Sequence, residues 1–371
     1  MILYANPAAQ FHSYQGEIEA AVLKVMRGNR YILGAEVEAL ESEFADYIGT
    51  AAAIGVANGT DALELAIRAL DIGPGDEVST VSHTAVATVA AIEAAGATPV
   101  LVDIDPVFFT LNPAQLQEVL TPKTKAVIAV HLYGQAADLD AIGQFCDENK
   151  LFLIEDVSQA HGGKWKGKRL GSVGHIGCFS CYPTKNLGAI GDAGLVTTNN
   201  AKLGNKVRML REYGWQQRYV SDIVGRNSRI DELQAAVLRI KLRHLDSDNS
   251  KRQELAAQYS TLLAGMAINL PSSRLNSEQV FHLYVIRTKH RQELMQHLKR
   301  DEIQAGIHYP IPVHLQPAYK NRVRTSANMG VTEQIADEVL SLPMYPELRN
   351  KQISEVVQSI KCSESGDMKR D

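Results

Sequence analysis

Between residues 52 and 154 the chain alternates short apolar runs of strand length with stretches carrying the three-and-four spacing of helices, and few folds accept that pattern. The strand-like runs are Ala52 to Val56, Val78 to Val81, Pro99 to Asp103, Ala126 to Val130 and Leu151 to Ile154. Between them lie helical stretches: one with Leu63, Ile67 and Leu70, then Ala87 to Ala95, Pro113 to Leu120 and Leu139 to Asn149. Strands separated by helices at this spacing are joined by crossovers, which lay neighbouring strands parallel. The expected large domain is therefore α/β, with a mixed, mostly parallel sheet flanked by helices. An amphipathic helix over residues 35 to 47, with Val37, Leu40, Phe44 and Tyr47 on one face, precedes it.

After Thr198 the alternation stops. A helix is expected over 201 to 212, and a long one from Asp231 past Tyr259 leads to a smaller C-terminal α/β domain with strand Leu283 to Arg287 and helix Arg291 to Lys299. The expected division is 1–245 for the large domain and 246–371 for the small one, ending in a polar tail from Cys362 to Asp371 that should fray.

Lys and Arg number 38 against 42 Asp and Glu, a net charge of −4, and an extended nucleic-acid surface normally leaves a basic excess instead. The most apolar long stretch, Thr84 to Val102, is broken by Glu93, Gly96 and Pro99, so no membrane span is expected. The N-terminus has neither a basic start nor an apolar h-region, and four cysteines form no disulfide framework, which together point to the cytoplasm. Cys178 and Cys181 form C-x-x-C, but no second pair completes a metal site; a structural role and no bound metal are expected.

In parallel α/β sheets ligands bind beyond the carboxyl ends of strands, and three places there carry usable chemistry. At Asn58-Gly59-Thr60-Asp61 a strand turns into a helix, which suits either a phosphate or plain capping by Asn58 or Thr60. Asp156 follows an apolar strand and precedes Gln159, and is either a ligand-pairing carboxylate or a loop cap. Lys185 lies in the loop after Ile176 to Phe179, five residues beyond Ser180, as a solvated lysine or a desolvated nucleophilic amine. His161 reads as structural. Gly188, Gly191 and Gly194 follow the lysine but do not form the dinucleotide fingerprint, which disfavours a nicotinamide enzyme. Together the three places fit pyridoxal 5′-phosphate, which needs an amine for its aldehyde, an acid for its ring nitrogen and a cup for its phosphate.

At these residues the chain resembles the nucleotide-sugar aminotransferases of the DegT/DnrJ/EryC1/StrS family, which are fold type I pyridoxal-phosphate enzymes. The resemblance rests on ANGTDAL (57 to 63), IEDVSQAHGG (154 to 163), SCYPTKNLGAIGDAG (180 to 194), GRNSRIDELQAAVLRIKLRHLD (225 to 246) and HYPIPVHLQPAY (308 to 319). It implies that Lys185 carries the cofactor, Asp156 pairs with the pyridinium nitrogen and Gln159 sits beside the phenolic oxygen. Gly59, Thr60 and Ser180 would hold the phosphate, with Asn227 reaching it from the other subunit of a homodimer. Where the family often has an aromatic stacking residue this chain has Ala85, and His83 is the expected substitute.

Tyr182, His308 and Tyr309 are expected to face the sugar, and Arg229 a carboxylate or phosphate of the substrate. The resemblance is greatest to enzymes that aminate C3 of dTDP-3-keto-6-deoxyhexoses with L-glutamate as donor. A 4-keto-sugar aminotransferase is the alternative within the family. A dehydratase branch replaces the lysine with His, which Lys185 argues against; a purely binding or regulatory descendant would be expected to lose Lys185, Asp156 or the phosphate cup.

Overall fold

The computed structural model describes residues 1–364. Helices α1 (Pro7–Ser13), α2 (Gln15–Met26) and α3 (Ala35–Ile48) come first. Strands β1 (Ala52–Val56), β2 (Glu77–Val81), β3 (Thr98–Val102), β4 (Thr124–Val130) and β5 (Phe152–Asp156) then alternate with helices, among them α4 (Gly59–Ala69) and α5 (Val86–Ala94). Strands Ile176–Ser180 and Gly194–Thr198 complete the run. The eight-stranded sheet has the order β1, Gly194–Thr198, Ile176–Ser180, β5, β4, β2, β3, Arg324–Thr325. It is parallel except at Gly194–Thr198, which runs antiparallel to both neighbours. The mixed, mostly parallel sheet is as expected. The antiparallel insertion and the Arg324–Thr325 edge are not legible in the sequence, since a glycine-spaced loop precedes the first and two residues make the second.

Strands buried on both faces read as continuous apolar runs, as β1 does with all five residues buried; β2 is equally buried but carries Glu77, Ser79 and Thr80. The main core packs α3, α4 and the sheet together. A second core joins Leu255, Tyr259 and Leu263 to the small antiparallel pair Tyr284–Arg287 and Val339–Leu342, with helix Asn350–Glu364 over it.

Two features differ from the expected division at residue 245. That point falls inside one continuous helix, Glu232–Leu262, whose first part packs on α2 and α3 and whose last turns enter the second core. Ile2 belongs to the second core, and Val313 and Met329 return to the large sheet against Val89 and Leu101. Cys362 to Glu364 of the expected frayed tail are helical, and the rest of that tail lies outside the described residues.

Candidate active site

The carboxyl ends of β1, β2, β4, β5 and Ile176–Ser180 open into a cleft of about 680 Å³. At one end α4 begins. Asn58 accepts a hydrogen bond from the Asp61 N–H through Oδ1 at 2.8 Å, so the capping reading is correct. Capping and anion binding coexist, because the N–H groups of Gly59 and Thr60, first in the helix, have no intrahelical acceptor. Gly59 is required by contact: a Cβ there would come within 2.4 Å of Ser180 Cβ. Residues Gly59, Thr60 and Ser180 form one wall of the cleft.

Asp156 ends β5 with its side chain buried at the cleft. One carboxylate oxygen accepts from Thr88 Oγ1 at 2.9 Å and the other from the Ser158 N–H at 3.2 Å, which fixes the plane of the group. Thr88, from α5, was missed by sequence reasoning; the only signal was its i,i+4 spacing from Thr84, whose hydroxyl lies 3.1 Å from its own. Next to Asp156, Glu155 is fully buried and faces away from the cleft. It accepts from the N–H groups of Gly171, Val173 and Gly174 and from His131 Nε2. His131 takes the Ala137 N–H on Nδ1, so its proton is on Nε2.

Lys185 enters the cleft from a loop shaped by three backbone bonds, Lys185 N–H to Tyr182 O, Cys181 N–H to Ala193 O and Ala189 N–H to Cys181 O, each 2.8 Å. The ammonium of Lys241, on the long helix, donates to Gly188 O at 2.7 Å and clamps that loop from behind. Burial drives the Lys185 amine down to about 8, against the pull of Asp156. An amine held there is half neutral near pH 8, so a useful fraction is available as a nucleophile or base at mildly alkaline pH. Cys178 and Cys181 are both buried free thiols, and burial pushes Cys181 up to about 12.

Gln159 sits in the cleft with Oε1 accepting from Tyr133 N–H at 2.8 Å and Nε2 donating to the Tyr309 hydroxyl at 3.0 Å. Tyr182, His308 and Tyr309 also line the cleft. His308 is held by Ser341 Oγ at 2.9 Å, and burial drives it down to about 4, so near neutral pH it acts as an uncharged hydrogen-bonding ring. His282 likewise faces the cleft and bonds Asn186 through Nδ1 at 3.2 Å.

Three expected residues are not in this cleft. His83 is fully buried and its Nε2 lies 2.7 Å from the Tyr133 hydroxyl, which itself donates to His308 O. That hydrogen-bond chain holds the His83 ring behind the part of the wall formed by Thr84 and Ala85. Asn227 is exposed, in a backbone bridge with Glu212. Arg229 lies in a separate cavity of about 540 Å³ with Arg30, Trp215 and Arg218, its Nη1 3.8 Å from Glu212.

A desolvated lysine, an oriented carboxylate and an anion cup meeting at the strand ends of a mostly parallel sheet define an enzyme built to hold a phosphorylated aldehyde cofactor through an amine. The residues present fit pyridoxal phosphate at each of its three demands.

The chain matches the DegT/DnrJ/EryC1/StrS aminotransferase family over residues 12–361, and it belongs to that family. It is 45% identical to the dTDP-3-amino-3,4,6-trideoxy-α-D-glucose transaminase of Streptomyces venezuelae, across 95% of this chain and 93% of that one. It is 46% identical to the dTDP-3-amino-3,6-dideoxy-α-D-galactopyranose transaminase of Aneurinibacillus thermoaerophilus, across 94% and 95%. Among solved structures, S. venezuelae DesV in complex with a ketimine intermediate superposes with a TM-score of 0.95, at 44% identity and 98% coverage of both chains.

Proposed function

We propose that the protein moves the amino group of L-glutamate to C3 of a dTDP-3-keto-6-deoxyhexose, giving 2-oxoglutarate and a dTDP-3-amino-3,6-dideoxyhexose, as a cytoplasmic homodimer using pyridoxal phosphate. The observation that carries the reading is Lys185, Asp156 and the Gly59, Thr60 and Ser180 wall around one cleft. The 3-amino products in the names of two relatives at 45% and 46% identity support the choice of C3.

Pyridoxal phosphate bound in the cleft supplies an aldehyde that can carry an amino group and a ring that can accept electrons. Asp156, oriented by Thr88 and Ser158, holds the proton on the ring nitrogen. Gly59, Thr60 and Ser180 bind the phosphate. Lys185 would hold the cofactor through its amine, and its Nζ, when free, would take the proton from the amino-acid α-carbon and deliver one to C3 of the sugar. Tyr182, His308 and Tyr309 orient the keto sugar.

The homodimer accounts for Asn227 and Arg229, which lie outside their own cleft but beside a hairpin made by Trp215–Gln217 and Val220–Ser221. That hairpin displays Tyr219 at 72% exposure with Val224 at 82% nearby, an apolar surface suited to a second copy. The Asn227 side chain then completes the partner's phosphate cup, and the Arg30, Arg218 and Arg229 cavity takes diphosphate or carboxylate charge. The buried free thiols of Cys146, Cys178 and Cys181 suit a reducing cytoplasm.

The test is incubation of purified enzyme with glutamate and, separately, the 3-keto and 4-keto dTDP sugars. Amination of the 3-keto sugar is expected; amination of only the 4-keto sugar overturns the choice of carbon. Absence of a visible cofactor band that glutamate bleaches overturns the whole reading.

A further inference from the structure

The N-terminal segment contributes a side chain to the cleft that no step above uses. Tyr4 lines it together with Tyr182, His308 and Tyr309. Its ring centroid is 5.7 Å from that of His308. The backbone that carries it is pinned on both sides: Ile2 N–H donates to Glu302 O and Gln304 N–H to Ile2 O, both at 2.8 Å, and Met344 N–H donates to Tyr4 O at 3.1 Å. Two residues on, Asn6 caps α1 through a 3.0 Å bond from Ala9 N–H. The half-buried phenol is thus presented on fixed backbone, which lowers the entropic cost of using it in binding.

Its polar end is available. Two of the neighbouring phenols are engaged, Tyr309 with Gln159 and Tyr133 with His308 O, whereas the hydroxyl of Tyr4, like that of the more exposed Tyr182, has no hydrogen bond among the described residues. The cofactor's three demands are met by other residues, and a dicarboxylate amino acid is held by cations and N–H groups rather than by a phenol. A ring with a free hydroxyl beside an imidazole and a second phenol suits a hexose, whose C–H face packs on aromatic surface and whose hydroxyls exchange hydrogen bonds.

We propose that Tyr4 is a specificity-determining residue that binds the hexose of the nucleotide sugar, its hydroxyl bonding a ring hydroxyl of the sugar. This rests on the keto-sugar reading above. The test compares wild-type and Tyr4→Phe holoenzyme by calorimetry with two ligands, the dTDP-3-amino-3,6-dideoxyhexose product and dTDP alone, and follows bleaching of the cofactor band by glutamate.

Loss of one hydrogen bond should weaken the amino-sugar ligand by about tenfold in Tyr4→Phe, with dTDP affinity and the glutamate half-reaction unchanged. Unchanged affinity for the amino sugar, an equal loss for dTDP, or a slowed glutamate half-reaction each overturns the assignment. Failure of the wild type to bind the amino sugar brings down the underlying reading and the assignment with it, and is told apart from the other outcomes because it needs no variant.

Discussion

Thr88 shows how a residue outside the legible motifs sets the chemistry of one inside them. Its hydroxyl bonds one oxygen of Asp156, so Thr88→Val leaves the carboxylate with its Ser158 bond alone. Turnover is expected to fall about tenfold with little change in the KM for either substrate, measured by steady-state kinetics; an unchanged kcat would show that Ser158 suffices. Lys185→Ala should cost about a thousandfold or more in turnover. The acidity of Lys185 gives a sharper check on its surroundings. Burial favours the neutral amine, so the fraction able to attack an aldehyde rises as pH climbs through about 8, well below the ~10.4 of a free lysine. Protein stripped of cofactor should therefore regain its visible band faster from pH 7 to 8.5 and then level off. Lys185 and Asp156 are legible in sequence because each follows an apolar run at a strand end. His83 is not, because its direction is set by Tyr133, 50 residues away in the chain.

At the scale of elements, the start of α4 against strand Ile176–Ser180 decides whether an anion can be held. Gly59→Val puts a branched side chain where even a Cβ lies 2.4 Å from that of Ser180, so helix and strand must part. Cofactor affinity measured by equilibrium dialysis should fall at least tenfold, while the Lys185 loop, on a different segment, keeps its shape. Glu155 locks β5 to the loop at 171–174. Burial works against its charge, but the bond from His131 and the N–H groups of Gly171 and Gly174 hold it below the usual carboxylate range. Its folded pKa lies below its unfolded one, so the stabilisation is complete above the unfolded value and is lost as pH falls through the folded value. Glu155→Gln removes the charge that four donors share and should cost about 3 kcal/mol, read as a lower Tm at pH 7 and a smaller wild-type-to-variant gap in acid. The helices and the parallel strands were legible because burial on two faces imposes apolar periodicity. Strand Gly194–Thr198 was hidden by the glycines before it; it returns antiparallel to the nearby Ile176–Ser180 without a crossover helix, and its other partner, β1, is distant in the chain, which local pattern does not encode.

For the whole molecule, the prediction concerns assembly. Tyr219→Asp with Val224→Asp places charge on the exposed hairpin region without touching either core. Sedimentation should show a monomer that keeps its Tm but has lost turnover; an active monomer would refute the shared site. The division into a sheet domain and a smaller partner was legible from where the strand–helix alternation stops. That Ile2 and residues 313–329 cross the division was not, since a single apolar residue or a two-residue edge strand has no period to read. The crossing of Ile2 also dictates an order of events during synthesis. Residues 1–5 are made about 300 residues before their backbone partners Glu302, Gln304 and Met344, so this segment must wait, unpaired, while the intervening chain is synthesised. β1 waits similarly for Gly194–Thr198, its only partner in the sheet among the described residues. Such long sequence separations slow folding. They also mean that a nascent or prematurely terminated chain cannot finish the cleft, so an incomplete product has no competent site with which to sequester cofactor or sugar nucleotide.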